Sequence, residues 1–106
     1  MYAIIFEVWP FAKGRDRYFE LAAQLKQILV SQPGFISVER FQSLIDEEKL
    51  LSLSFWESEQ AIAGWREQLD HIDAQKEGKE KLFKSYRIRV VIIERSYSFD
   101  VEEASA

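Results

Sequence analysis

The sequence predicts a single α+β domain, and three observations carry that expectation. Runs of period-two alternation and runs of helical period follow one another in the order strand, helix, strand, strand, helix, strand. The strand near Leu50 passes into a helix with almost no connection, so the two must fold back on each other, each having a single apolar side to hide. A length of 106 residues with 47% hydrophobic content fits one compact domain and leaves little room for a second. The domain is expected over residues 1–99, with an acidic, disordered tail over 100–106.

The first strand spans Tyr2 to Trp9, with Ile4, Phe6 and Val8 on one face and Ala3, Ile5, Glu7 and Trp9 on the other. Pro10 ends it. Ala12-Lys13-Gly14 turns the chain into a helix near Asp16, which places negative charge in the first turn. Tyr18, Leu21, Ala22, Leu25, Ile28 and Leu29 form its apolar stripe. Pro33-Gly34 signals a turn, and alternation resumes from Phe35 to Ser43. Asp46-Glu47-Glu48 makes a solvated hairpin to a third strand, Lys49 to Glu57. Ser58 is a good N-cap for a helix whose stripe is Ala61, Trp65, Leu69 and Ile72. Gly78 marks a break or close approach, a further helical segment ends near Leu82, and a long last strand runs from Tyr86 to Phe99.

This β-α-β-β-α-β order is the ferredoxin-like, split-βαβ arrangement: a four-stranded antiparallel sheet with the helices on one face. The helices are expected to cover Ile4, Phe6, Ile36, Val38, Leu51, Leu53, Phe55, Ile88, Val90 and Ile92. The other face would then carry Ile5, Trp9, Phe41, Trp56, Val91 and Ile93, too apolar for water. A homodimer packed sheet to sheet covers it most simply, with Glu7, Glu39, Arg87 and Arg89 available to pair in the interface.

Composition excludes several classes of function. The chain has no cysteine, hence no disulfide, thiolate nucleophile or thiolate metal site, and a reducing cytoplasm is the expected location. The N-terminal apolar run has no basic leader, is interrupted by Glu7, and falls short of the roughly 18 to 20 residues of a membrane span. A net charge of -4 opposes nonspecific nucleic-acid binding, and LLSLSFWE lacks the glycine and basic residues that an RNA-reading third strand needs. A small neutral or organic partner is easier to accommodate. No Walker loop, dinucleotide turn, HExxH or GxSxG is present, and one histidine makes a tightly bound transition metal unexpected.

Few residues remain to carry chemistry. Trp65, mid-stripe, is either core packing or the wall of a pocket whose indole orients a planar ligand. His71, the only histidine, is either a surface or capping residue or a proton acceptor near neutrality. On one continuous helix it stands about 120° from Trp65, at about 100° per residue. The two converge only if the helix ends between Leu69 and His71, whereupon His71, Gln75, Gly78 and Leu82 would share a face. Glu7 is either a desolvated base or the partner of Arg87 or Arg89.

Pro33-Gly34-Phe35, then Phe55-Trp56-Glu57-Ser58 with Ala61 and Trp65, then His71 and the closing Tyr86-Arg87-Ile88-Arg89-Val90, together resemble the antibiotic biosynthesis monooxygenase domain. That family forms dimeric α+β barrels. The resemblance, which covers nearly the whole chain, implies a homodimer with packed sheets and a pocket in each subunit between helices and sheet. It also implies oxidation of a small electron-rich aromatic, such as a polycyclic phenol, anthrone or quinol, by molecular oxygen without metal or flavin. In this sequence the resemblance gives Trp65 the task of holding the ring and His71 that of assisting proton transfer, with Phe83 and Tyr86 as further pocket residues.

Two other readings stand beside it. A haem-degrading branch uses an asparagine, tryptophan and histidine set, where this chain holds Glu7, Trp65 and Gln75; haem is thus the alternative cofactor, with two of three positions departing from the pattern. The other is a noncatalytic dimer that binds a small ligand.

Overall fold

A computed structural model describes residues 1–101, apart from the side chain of Ala74. Its strands are β1 (Tyr2–Pro10), β2 (Phe35–Gln42), β3 (Leu50–Trp56) and β4 (Phe83–Ile92). Its α-helices are α1 (Arg15–Leu29), α2 (Glu59–Asp70) and α3 (Asp73–Glu77), with a 3-10 turn at Ala12–Gly14 and a π-helical turn at Gly78–Leu82. The sheet order is β2-β3-β1-β4, with every neighbour pair antiparallel. This is the ferredoxin-like α+β arrangement expected from the periodicities. None of the described helices is long and apolar enough to cross a membrane.

Local chemistry accounts for the junctions. Ser58 Oγ accepts from the Ala61 N–H at 3.1 Å and caps α2, with Glu59 in its first turn. Gly34 has φ +79°, and a Cβ there would lie 2.5 Å from the Ala61 Cβ. The turn into β2 therefore requires glycine twice, once for its conformation and once for the close approach of α2. β4 stops at Ile92 rather than reaching Phe99, because its one neighbour, β1, starts at Tyr2. Past Ile92, among the described residues, the Ile93 N–H still finds a backbone partner, the Met1 carbonyl at 3.0 Å. Beyond it the chain to Val101 has no regular structure, and residues 102–106 of the expected disordered tail lie outside the described residues.

One strand is turned over relative to expectation. Residues paired across an antiparallel ladder share a face, and Tyr2, Ile4, Phe6 and Val8 pair with Trp56, Ser54, Ser52 and Leu50. The inward side of β3 is thus Leu50, Ser52, Ser54 and Trp56, while Leu51, Leu53 and Phe55 join Ile5 and Glu7 on the open face. Trp56, expected on the open face, is fully buried under the helices. Alternation fixes the period of a strand but not which side meets the helices, and here the more apolar side faces away from them; pairing with β1 decides it. Four further residues expected under the helices are exposed: Ile88 and Val90, on the inward side of the edge strand, line the cavity without being covered, and Ile36 and Ile92 are exposed for local reasons. Ile36 is the extra residue of a bulge between Phe35 and Ser37, and Ile92 lies at the fraying end of the edge strand.

The core is in two parts. Val8, Tyr18, Ala22 and Leu50 form one buried cluster, with Phe6 and Phe83 against it. Leu29, Trp56, Ile62 and Trp65 form the other, joined by Ile4, Phe35, Val38, Ala61, Leu69 and Ile72.

Candidate functional site

The space between the two core clusters is a cavity of about 450 Å³, bounded by the sheet below and by α1, α2 and the α3–π-turn segment above. Ser52 and Ser54 explain why it exists. They occupy two successive inward positions of the interior strand β3, where larger side chains would fill the gap. Ser54 Oγ accepts from Trp56 Nε1 at 2.9 Å, so its hydroxyl is satisfied within the wall.

Aromatic rings supply much of the lining. Trp65, buried on α2, stacks on Trp56 with ring centroids 6.5 Å apart at 29°. The described hydrogen bonds include one from Trp56 Nε1 and none from Trp65, whose indole N–H remains available to a ligand oxygen. Phe83 and Tyr86, from the start of β4, pack with Phe6 and Tyr18 at centroid separations of 5.7 to 6.0 Å. Gly78 brings this group in, since a Cβ there would stand 2.8 Å from the Phe83 ring. Burial pushes the Tyr18 phenol above its ordinary value, against the opposing effect of the neighbouring Arg40 guanidinium. At neutral pH Tyr18 is therefore a neutral donor in the wall.

Trp65, Phe83 and Tyr86 thus line one cavity, whereas His71 does not. α2 does end at Asp70, the break that the Trp65–His71 spacing required. His71 then sits at the helix C-cap, with its N–H on the Gln68 carbonyl at 3.1 Å, and its side chain is exposed. The following segment instead turns Gln75 and Gly78 into the lining and buries Leu82. The shared face expected for these residues forms without its histidine.

Arg40 and Tyr18 are lining residues that the sequence reading missed. Arg40 crosses from β2 to α1, donating from Nη2 to the Ala22 carbonyl at 2.8 Å. Its signal was present: it falls in register with Val38 on the inward side of an otherwise alternating strand.

Glu7 lies on the other face of the sheet, buried among Lys49, Arg87 and Arg89. The Lys49 hydrogen bond holds its carboxyl below the usual range, more than offsetting burial, and the charges of Lys49, Arg89 and Arg87 add to this. A carboxylate so held is an ion-pair partner and a poor base near neutrality. Among the described residues no cluster of histidine, cysteine, aspartate and glutamate could hold a metal ion.

A four-stranded ferredoxin-like sheet, helices on one face, and an aromatic-walled cavity between the layers define a class of small α+β domains. Residues 1–77 match the antibiotic biosynthesis monooxygenase family, and the chain belongs to it. It is 37% identical over 90 residues to a jasmonate monooxygenase of Pyricularia oryzae, covering 85% of this chain but 42% of that protein. It therefore spans about two fifths of that relative. Identity to YqjZ of Bacillus subtilis is 30% over 98 residues, covering 92% of this chain and 83% of that protein. Among solved structures, Rv0793 of Mycobacterium tuberculosis superposes with a TM-score of 0.80 at 18% identity, covering 92% of this chain and 98% of that one. That likeness is one of fold.

Proposed function

We propose that this chain is a cofactor-independent monooxygenase that oxidises a small electron-rich aromatic, a quinol, anthrone or polycyclic phenol, with molecular oxygen, and that it acts as a homodimer. The observation that carries the reading is the cavity of about 450 Å³ with Trp65 in one core cluster, Phe83 against the other and Tyr86 packed on Phe83. Its size and lining suit a flat ring system. The relative named as a jasmonate monooxygenase supports oxygen insertion as the reaction class.

The chemistry asks little of the protein. An ionised, electron-rich ring gives one electron to oxygen, and the two radicals combine at a ring carbon. The resulting hydroperoxide loses water, so that one oxygen atom remains as a carbonyl and the other departs with two hydrogens from the substrate. The protein must hold the ring, keep water out and favour the ionised substrate. Trp65, Phe83 and Tyr86 perform the first two tasks in this proposal. His71 lies outside the lining and is given no contact with substrate.

Haem fits the wall poorly. The lining contains no histidine, cysteine or methionine, and of its two tyrosines Tyr18 is held neutral by burial. Titration with haem is expected to leave the Soret band where free haem places it.

The test is oxygen uptake by metal-free protein against quinols, anthrones and dihydroxynaphthalenes. Trp65→Ala is expected to lose about tenfold or more of the rate above background, and His71→Ala to stay within about twofold of the parent. A tenfold loss in His71→Ala would restore its proton-transfer role. No uptake across the panel would favour a noncatalytic ligand-binding dimer.

A further inference from the structure

The cavity is charged in one sense. Lys26, Arg40, Arg66 and Lys79 line it, and no aspartate or glutamate does, although acids outnumber bases 18 to 14 in the chain. Among the described residues none of these four makes an ion pair. The cations that do, Arg17, Lys49, Lys84, Arg87 and Arg89, are absent from the lining. Lys26, Arg66 and Lys79 are exposed and so stand at the mouth, whereas Arg40 is partly buried. Its bond to the Ala22 carbonyl anchors the guanidinium in the wall and leaves further N–H donors for a ligand.

Four uncompensated cations around an apolar space favour a guest with opposite charge, and the effect is stronger there than in open water. We propose that the cavity takes its ligand as an anion: a small apolar ring body with one anionic oxygen group, which docks on Arg40 under the field of Lys26, Arg66 and Lys79. As a statement about substrate this rests on the monooxygenase reading; as a statement about binding it stands without turnover. The anionic oxygen has two possible sources, a carboxylate carried as a handle or a phenol that ionises in the site. In the second case the O–H bond breaks, the electron pair stays on oxygen, and the proton passes to water at the mouth, since no carboxylate or imidazole lines the cavity to take it. The same cations then do the work expected of a general base, by stabilising the phenolate and so making the bound phenol a stronger acid, rather than by accepting its proton.

The experiment is a tryptophan-fluorescence titration at about pH 7 with 2-naphthoate and its neutral counterpart 2-naphthamide, alongside a near-UV pH titration of bound 2-naphthol. Naphthoate is expected to bind about tenfold more tightly than the amide, with the preference shrinking as salt rises. Bound naphthol is expected to ionise about one pH unit below free naphthol. The naphthoate preference alone assigns a carboxylate handle, and the lowered naphthol ionisation alone assigns the reacting phenol. Both effects should fall severalfold in Arg40→Gln. Because Arg40 also ties β2 to α1, the exposed pair Lys26→Gln/Arg66→Gln repeats the test without touching that bond. Equal binding of acid and amide with unshifted naphthol ionisation overturns the inference, as does a preference unchanged in both variants. Anion binding without oxygen uptake on any substrate would refute the monooxygenase reading and leave this inference standing. Uptake on neutral rings without anion preference would do the reverse.

Discussion

At the scale of single residues, the cavity depends on what is small as much as on what is aromatic. Ser52 lies inward on β3 and lines the cavity, opposite Phe6 and Arg40 in the ladders. Leucine there would occupy the space reserved for a ligand. Ser52→Leu is therefore expected to keep or raise the urea midpoint while weakening ring binding by about tenfold, the separation of stability from function seen when a functional void is filled. Fluorescence titration and urea unfolding of one sample check both halves. Trp56 shows the opposite relation. It is fully buried behind Trp65, and its truncation to alanine would cost roughly 3 to 5 kcal/mol as a cavity in the core.

At the scale of elements, charge fixes how pieces meet. Arg17 on α1 holds Glu77 at the end of α3 with two hydrogen bonds, Nε to Oε2 at 2.9 Å and Nη2 to Oε1 at 3.1 Å. This places the segment that carries Gln75 and Gly78 over the cavity. Glu7 gathers Lys49, just before β3, with Arg87 and Arg89 from β4 about the middle strand. Both carboxyls are held below their ordinary value of 4.5, Glu7 chiefly by the Lys49 hydrogen bond and Glu77 by that from Arg17. A lowered folded-state pKa means that the unfolded chain binds the proton more readily. The stabilisation is complete above the ordinary carboxylate value and disappears as pH falls through the lowered one. The urea midpoint of the parent is expected to fall as pH drops below the ordinary carboxylate value of 4.5, and less steeply in Glu7→Gln. Parallel slopes for the two proteins would show that Glu7 contributes nothing to this window.

At the scale of the whole molecule, the turned-over β3 makes the open face more apolar than the sequence suggested. Leu51, Leu53 and Phe55 lie there with Ile5, Phe41 and Val91 around the Glu7 cluster. Such a face supports the proposed sheet-to-sheet dimer better than the expected arrangement, in which those three side chains were hidden under the helices. Light scattering at micromolar concentration is expected to give twice the mass of one chain. Leu53→Asp is expected to give a single-chain mass with an unchanged far-UV circular dichroism spectrum, because the substitution places a charge on that face and none in the core. A monomeric parent would remove the dimer from the proposal.

The sequence by itself determined the order of elements, the antiparallel sheet, the Ser58 cap, the Pro33-Gly34 turn and the family. The elements, the cap and the turn rest on local periodicity or backbone chemistry that a few neighbouring residues settle, the sheet on the order of those elements, and the family on a resemblance carried by motifs along the whole chain. It also singled out Trp65, Phe83 and Tyr86, which the fold brings to one cavity. Only tertiary structure decided which side of β3 faces the helices, because both sides alternate equally well and only strand pairing tells them apart. The same holds for the cavity. Its serines lie on the side of β3 that the alternation placed away from the helices, Arg40 carried no signal of its own beyond its place in the alternation, and His71 was open between a capping and a proton-transfer role; long-range contacts turn the first two inward and leave the histidine at the end of its helix. Helical spacing gives a direction around one axis; where that axis points is fixed by the packing of distant segments against it.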